Sequence, residues 1–155
     1  MNPLKLTQLI KLVLFLAVVV GSVIYLGAAT ESSPSGVIHI NNTEVAAAFE
    51  KGAGLLATNN FKINAGRREM PGEVEVHDRD TDIFHIIEGS ATFVTGGKIV
   101  QPRTVSPGET RAKEIVGGDT RHLAKCDIIV IPTGVPHWFK EVHGPVLYFV
   151  VKVSH

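Results

Sequence analysis

Two carboxylates and two histidines occur at spacings that suit a metal site. One residue separates Glu75 from His77, four residues separate His77 from Asp82, and His137 follows the Pro132–Gly134 turn. Imidazole and carboxylate together suit Fe(II), Mn(II), Ni(II), Co(II) and Zn(II), and two histidines with one carboxylate leave positions open for water, oxygen or substrate. These four side chains are therefore candidate ligands of one divalent metal ion, and their types do not select which ion.

The candidate ligands lie in segments that read as β-strands. Side chains alternate between the two faces of a strand, so Glu75 and His77 share one face, and Asp82 and Phe84 share another. If Asp82 faces the interior, His85 points away from it, and we expect His85 to be structural. Two neighbouring strands can thus bring imidazoles and carboxylates to one point.

Strand signals dominate the chain, each bounded by Gly, Pro or Asp. A turn is expected at Glu88 and Gly89, and a long connection without strands after Thr95. Closely spaced short strands favour a sandwich or a closed barrel, because closing the sheet removes exposed edges. The predicted strands are Val37–Ile40, Gly54–Thr58, Phe61–Ala65, Glu73–His77, Asp82–Ile87, Ala91–Thr95, Thr120–Leu123, Asp127–Ile131, His137–Glu141 and Val146–Val153.

One helix is expected. Asn41 with Glu44 three residues later has the pattern of a capping box, and the helix continues through Phe49 and ends at Gly52. We expect no helix after Gly52.

The amino end reads as a targeting segment. Lys5 and Lys11 precede an uncharged run from Leu12 to Ala29, which ends in small residues. This pattern predicts a signal peptide over residues 1–29, a linker over 30–36 and one domain over 37–155, placed in the periplasm or outside the cell. The alternative is an uncleaved anchor over residues 12–29, because that run is near the spanning length of about 20 residues.

Composition excludes several classes. The chain has 155 residues, with 15 Lys and Arg against 15 Asp and Glu, so nothing indicates nucleic-acid binding. Its single cysteine, Cys126, excludes an internal disulfide framework and a zinc site of several cysteines.

The segment from His77 to Gly89 resembles the first cupin motif, G-x5-H-x-H-x(3,4)-E-x6-G. Asp82 stands at the position of the metal-binding Glu, and Gly89 follows after six residues. His77 stands at the second His, while Glu75 takes the first His position and Glu69 the leading Gly position.

The segment from Cys126 to Glu141 resembles the second cupin motif, G-x5-P-x-G-x2-H-x3-N. Pro132, Gly134 and His137 match at the motif's spacing, whereas Cys126 replaces the Gly and Glu141 replaces the Asn. The two motifs are 36 residues apart, which implies an enlarged loop between them.

The resemblance covers about residues 60–153. It implies an all-β fold, a single antiparallel cupin β-barrel of the jelly-roll type preceded by the short helix. It also implies a divalent metal in the barrel mouth, held by His77, Asp82 and His137, with Glu75 as a fourth ligand or a residue that only lines the cavity. A rival register makes His77 the first His and puts Arg79 at the second. That register leaves too few residues before Asp82.

The resemblance leaves two function classes open. The leading one is a metal-dependent enzyme on a small organic molecule, a dioxygenase, isomerase or lyase; the alternative is a binding module that turns nothing over. Arg67 or Arg68 can direct a guanidinium toward an anionic substrate, or both pair with nearby acids in solvent. Phe84 and Phe139 are apolar walls of the site or plain core. Cys126 has no evident base to activate it, so we expect it to be dispensable. A small molecule and a second copy of the chain are the expected partners.

Overall fold

The structure is a computed structural model that describes residues 36–155. The expected signal or anchor segment, residues 1–29, lies outside the described residues, so its cleavage and the domain boundary remain predictions. Within residues 36–155 no helix is both long and apolar enough to cross a bilayer.

Helix α1 spans Asn42–Lys51, as the capping signals predict. The Asn41 side chain accepts a hydrogen bond from the Glu44 backbone N–H, and the Glu44 carboxylate accepts one from Asn41 N–H, both at 3.0 Å. Gly52 ends the helix with a φ of 66°, where glycine is favoured. The helix rests on the sheet through Phe49, whose ring centroid lies 4.9 Å from that of Phe149.

Eleven strands follow within the described residues. Two of them, β4 and β11, are far longer than the rest. The strands are β1 Gly54–Ala57, β2 Phe61–Arg68, β3 Val74–His77, β4 Asp80–Thr95, β5 Lys98–Val100, β6 Arg103–Ser106, β7 Glu109–Ala112, β8 Glu114–Val116, β9 Asp119–Ala124, β10 Ile128–Ile131 and β11 His137–Ser154.

The two long strands pair antiparallel along nearly their whole length and join two layers of sheet. The first half of β4 pairs with the second half of β11, flanked by β10 and β2. The second half of β4 pairs with the first half of β11, flanked by β9 on one side and β3, β7 and β6 on the other. Strands β5 and β8 form a separate pair. All of these pairings are antiparallel, so the described chain is a mainly antiparallel β fold with one short helix.

Glycines let both long strands bend. Gly89 in β4 has a φ of 79° and Gly144 in β11 a φ of 78°. A Cβ at Gly89 would lie 2.2 Å from the Pro145 carbonyl oxygen, so a larger residue cannot be placed there without moving the backbone.

The core lies between the two layers and is rich in aromatic residues. Phe84 and Phe93 of β4 face Phe139 and Tyr148 of β11, with ring centroids 4.7 to 5.9 Å apart among the contacting pairs. His137 lies at the edge of this cluster, 6.1 Å from Phe84 and 6.2 Å from Phe93 by ring centroids. The core therefore fixes one of the candidate ligands by packing.

Several strand predictions need correction. The segment 37–40 is coil, exposed except at the half-buried Ile40, because no strand within residues 36–155 pairs with it. Asp82–Ile87 and Ala91–Thr95 form one strand, and so do His137–Glu141 and Val146–Val153, since the glycines bend the backbone and the pairing resumes beyond each bend. The connection after Thr95 contains β5 to β8.

Candidate metal centre

Three of the four candidate ligands converge through the pairing of β3 with β11. Glu75 of β3 lies directly opposite His137 of β11, and His77 is two residues along β3 on the same face. Donor atoms of Glu75, His77 and His137 lie within 4.8 Å of one another. Ligand atoms at right angles around an ion at about 2.1 Å are about 3 Å apart, so a small contraction would form a site.

Each histidine is oriented by a contact of its other ring nitrogen. His77 Nδ1 lies 2.8 Å from Glu109 Oε2, and His137 Nδ1 lies 3.2 Å from the Val135 carbonyl oxygen. Both oxygens only accept, so Nδ1 carries the proton in each neutral ring and Nε2 offers its lone pair to the site. His137 Nε2 is buried and has no hydrogen-bond partner among the described residues. A buried lone pair aimed at two other donors fits a metal ion.

Asp82 lies beside these donors but is already bound. Its Oδ2 is 3.3 Å from His77 Nε2 and 3.6 Å from His137 Nε2. Lys152 lies opposite Asp82 in the pairing of β11 with β4, and its Nζ is 2.7 and 2.8 Å from the two carboxylate oxygens. The sheet register thus gives Asp82 an ammonium partner, which competes with a metal for the carboxylate.

A proton, the Lys152 ammonium and a metal ion would all bind at His77 Nε2. Lys152 Nζ lies 2.9 Å from it, a contact that requires a lone pair on Nε2. Burial lowers the pKa of His77, but contacts with Asp82 and Glu75 outweigh burial and the opposing charge of Lys152 and raise this pKa to about 9. A proton, the Lys152 ammonium and a metal ion therefore exclude one another at this atom.

The remaining charges keep the carboxylates ionised. Burial raises the pKa of Glu75, but His77 and Arg111 outweigh it and hold this pKa at about 2. Burial also acts to raise the pKa of Asp82, and contacts with His77 and Lys152 leave it below its ordinary value. Burial lowers the pKa of His137, so its imidazole is neutral at pH 7. Neutral imidazole and ionised carboxylate are the forms that bind metal.

A cavity of about 60 Å³ opens beside the donors. Its apolar lining includes Phe84 and Phe139. Its ionisable lining residues are two cations, three carboxylates and one histidine: Arg68, Lys152, Glu73, Glu75, Asp82 and His137. Phe84 and Phe139 were expected to be either cavity walls or core residues. They are both, because they line the cavity and also belong to the packed aromatic cluster.

Comparison with solved structures shows the fold. The protein BH2720 of Bacillus halodurans superposes with a TM-score of 0.54 at 12% identity, over 80% of this chain and 86% of that one. An RmlC-like cupin family protein with a double-stranded β-helix fold, from Methanocaldococcus jannaschii, matches with a TM-score of 0.48 at 15% identity, over 67% of this chain and 79% of that one. The likeness to BH2720 shows that this chain shares the fold of that protein. No family model matches the sequence, and no curated protein matches it.

The two cupin motifs placed all four candidate ligands in one region. His77, Asp82 and His137 are buried and Glu75 is half-buried. His85 is exposed, as the alternation predicts, and the remaining histidines outside the motifs, His39, His122, His143 and His155, are exposed as well. The four candidate ligands therefore lie close together, and their role in metal binding stays a prediction.

Three charged residues of the site were missed. Glu109 and Arg111 lie on β7, inside the connection expected to lack strands, where they pair with His77 and Glu75 of β3. Lys152 is the next alternate residue of β11 after the core residues Tyr148 and Val150. This alternation could have predicted that the lysine faces the interior.

Proposed function

We propose that this chain is a metal-dependent enzyme with a jelly-roll cupin barrel, which acts on a small organic molecule in the barrel mouth. Glu75, His77 and His137 would hold a divalent ion. The observation that carries the proposal is the pair of histidines whose Nδ1 atoms are tied to Glu109 and Val135, which leaves both Nε2 atoms directed at one point.

The surrounding residues have defined tasks in the proposed site. When bound, a divalent ion polarises substrate oxygens or activates water or oxygen. Glu109 and Val135 hold the two imidazoles in their orientation. Phe84 and Phe139 exclude water from one side of the cavity, and its volume of about 60 Å³ limits the substrate to a few heavy atoms. Lys152 Nζ holds a proton at the edge of the cavity.

Metal titration of the purified protein tests this proposal. One ion per chain is expected, because three donors converge once, and His137→Ala should lower the affinity about 100-fold or more. His85→Ala is the matched control, since His85 is exposed on the opposite face of β4. A wild-type protein that binds no Mn(II), Fe(II), Co(II), Ni(II) or Zn(II) would defeat the proposal.

A further variant decides the role of Asp82. If Asp82 is a ligand, as the cupin motif implies, Asp82→Asn lowers metal affinity as strongly as His137→Ala. If Lys152 retains Asp82, the double variant Asp82→Asn/Lys152→Met, which removes both charges of the pair, binds metal with an affinity close to that of the wild type. We expect the second result, because Lys152 already occupies both carboxylate oxygens.

Turnover separates an enzyme from a binding module. Metal-loaded protein is incubated with small organic acids, and products are followed by NMR. Product formation that His137→Ala abolishes supports the enzyme. Ligands that bind without any chemical change would favour the binding module.

Export is part of the proposal and rests on the Leu12–Ala29 run. Fractionation of producing cells, followed by amino-terminal sequencing, is expected to recover a chain that begins near residue 29 or 30 outside the cytoplasm. Full-length chain in the membrane would select the anchor, and full-length chain in the cytosol would overturn export.

A further inference from the structure

Arg68 is a cation held at the cavity by packing. Its guanidinium carbon lies 4.9 Å from the Phe139 ring centroid, and its Nη2 lies 3.7 Å from Glu75 Oε1, beyond hydrogen-bond distance. Its Nε is buried without a hydrogen-bond partner among the described residues. A buried N–H of this kind is costly unless it meets an acceptor. Arg68 is therefore fixed in place with an unused donor.

Lys152 is a second cation at the same cavity. An ammonium has three N–H donors, and in the structure two reach the Asp82 oxygens and the third reaches His77 Nε2. A metal ion held by His77 Nε2 would use that lone pair. Lys152 would then keep its contacts with Asp82 and have one donor free for a ligand.

The charge count around the cavity changes when a metal binds. Three cations, Arg68, Arg111 and Lys152, face three carboxylates, Glu75, Asp82 and Glu109, through contacts of 2.7 to 3.7 Å. A fourth carboxylate at the cavity, Glu73, is paired with Arg103. When both histidines are neutral, which is the form that binds a metal, these charges balance. A divalent ion adds two positive charges to this largely buried site, and an anion would offset them.

The apolar lining narrows the kind of anion. Phe84, Phe139 and Val150 form part of the wall, so a carbon skeleton has a surface to contact and an inorganic anion does not use it. The volume of about 60 Å³ admits only a short skeleton. Carboxylate is the smallest organic anion that matches the planar donor edge of arginine.

We propose that Arg68 and Lys152 bind the carboxylate of a short-chain organic acid beside the metal. This inference rests on the proposed function, because the bound metal frees a donor of Lys152. Arg67, the neighbour of Arg68 in sequence, has no such role: it points to solvent and pairs with Glu69 through two contacts of 2.6 and 2.8 Å.

The test uses propionate and its neutral isostere propionamide, titrated by NMR into protein loaded with diamagnetic Zn(II). Propionate should bind about tenfold more tightly than propionamide, because the charge-assisted hydrogen bonds are lost with the amide. Arg68→Gln should weaken propionate binding about tenfold. Arg67→Gln is the matched control and should leave it unchanged. Lys152→Met should weaken propionate binding about as much as Arg68→Gln does.

A second perturbation keeps every charge. Gly72 leaves space for the guanidinium, and a Cβ there would lie 2.3 Å from Arg68 Nη1, so Gly72→Ala should displace that flexible end and weaken propionate binding while Zn(II) affinity is kept. If the melting temperature of Arg68→Gln shows that it does not fold, Gly72→Ala replaces it in the test.

The outcomes separate the two proposals. Equal propionate affinity in Arg68→Gln and Arg67→Gln, or equal affinity for propionate and propionamide, overturns the inference while the metal site stands. Sulfate that binds as tightly as propionate overturns the carboxylate assignment. A wild-type chain that binds no Zn(II) overturns the proposed function and, with it, the role of Lys152. The comparison of Arg68→Gln with Arg67→Gln on metal-free protein then tests the role of Arg68 alone, and equal propionate affinity overturns that role too.

Discussion

Glu75 stands at the first histidine position of the cupin motif, and its surroundings explain how a carboxylate is accommodated there. His77 Nε2 and Arg111 Nη2 each lie 3.5 Å from Glu75 Oε2, and Arg68 Nη2 lies 3.7 Å from Oε1. These contacts hold its pKa at about 2 despite the burial that acts to raise it. Glu75 is therefore ionised throughout the range in which a protein folds, and it is also available to a metal.

This environment predicts an acid-dependent contribution to stability. The folded pKa of about 2 lies below the ordinary value of 4.5, so the stabilisation by Glu75 is complete above pH 4.5 and is lost as pH falls through about 2. Glu75→Gln should lower the free energy of unfolding of metal-free protein at pH 7 by on the order of 2 kcal/mol. Urea unfolding across pH, with chelator present, should show the two proteins converging in acid.

The control for this prediction is Glu69→Gln, because Glu69 is exposed and pairs only with Arg67 among the described contacts. Stability curves of the wild type and Glu75→Gln that stay parallel from pH 7 to pH 2 would contradict the pKa of Glu75.

For single residues, the sequence predicted which candidate ligands lie close together better than it predicted the residues that contact them. His77, Asp82 and His137, which the motif spacing selected, do lie close together, because alternation and a Pro-x-Gly turn are local properties. The motif spacing did not reveal that Lys152 pairs with Asp82, since that contact depends on the register between strands 70 residues apart in sequence. Which of the candidate residues is free to bind a metal therefore depends on strand register as well as on residue type.

The turn between β9 and β10 has a residue other than glycine at a position with positive φ. Ala124 O accepts a hydrogen bond from Asp127 N–H at 3.0 Å, which closes a four-residue turn with Cys126 at its third position. Cys126 has a φ of 73°, as expected for the glycine position of the second motif, and its side chain is exposed. A residue with a Cβ is strained in this region by about 1 kcal/mol.

Replacing Cys126 therefore tests the turn. Cys126→Gly should raise the free energy of unfolding by about 0.5–1 kcal/mol and leave metal binding intact. Cys126→Ala removes the thiol but keeps the Cβ and should show no gain. Thermal unfolding of both variants measures this, and loss of activity with an intact fold in both would instead reveal a function of the thiol.

The long strands were the hardest elements to predict. Glycine and Gly-Pro signals were interpreted as ends of strands, and Gly89 was expected to lie in a turn. In β4 and β11 the backbone bends at Gly89 and Gly144, and the pairing resumes beyond the bend from Ser90 with His143 onward. A local pattern cannot distinguish a bend from a turn, because the difference lies in whether a partner strand is present on the far side.

The whole molecule should respond to metal because the site joins distant strands. An ion that binds only the folded chain stabilises it by about 2.7 kcal/mol at a concentration 100 times its dissociation constant. The melting temperature of the wild type should rise by roughly 5–15 °C with the metal that it prefers. His137→Ala should show no rise and His85→Ala the full rise, as measured by calorimetry. An equal rise in both variants would place the ion elsewhere.

At this scale the all-β class and the short helix were predicted correctly from the sequence. The strands β5 to β8 were not, because they are short and partly exposed and lack a hydrophobic alternation. They nevertheless supply Glu109 and Arg111 to the site.

The pairing of β11 also sets when the protein can become functional during its synthesis. Strand β11 contributes His137 and Lys152 and pairs with β2, β3 and β4, all of which leave the ribosome earlier. Until β11 emerges, Asp82 lacks Lys152, Glu75 and His77 lack His137, and the two layers cannot join. At about 5–20 residues per second, the interval from Asp82 to Lys152 lasts several seconds. Assembly of the candidate metal site and closure of the core are therefore late events, completed together by a single strand.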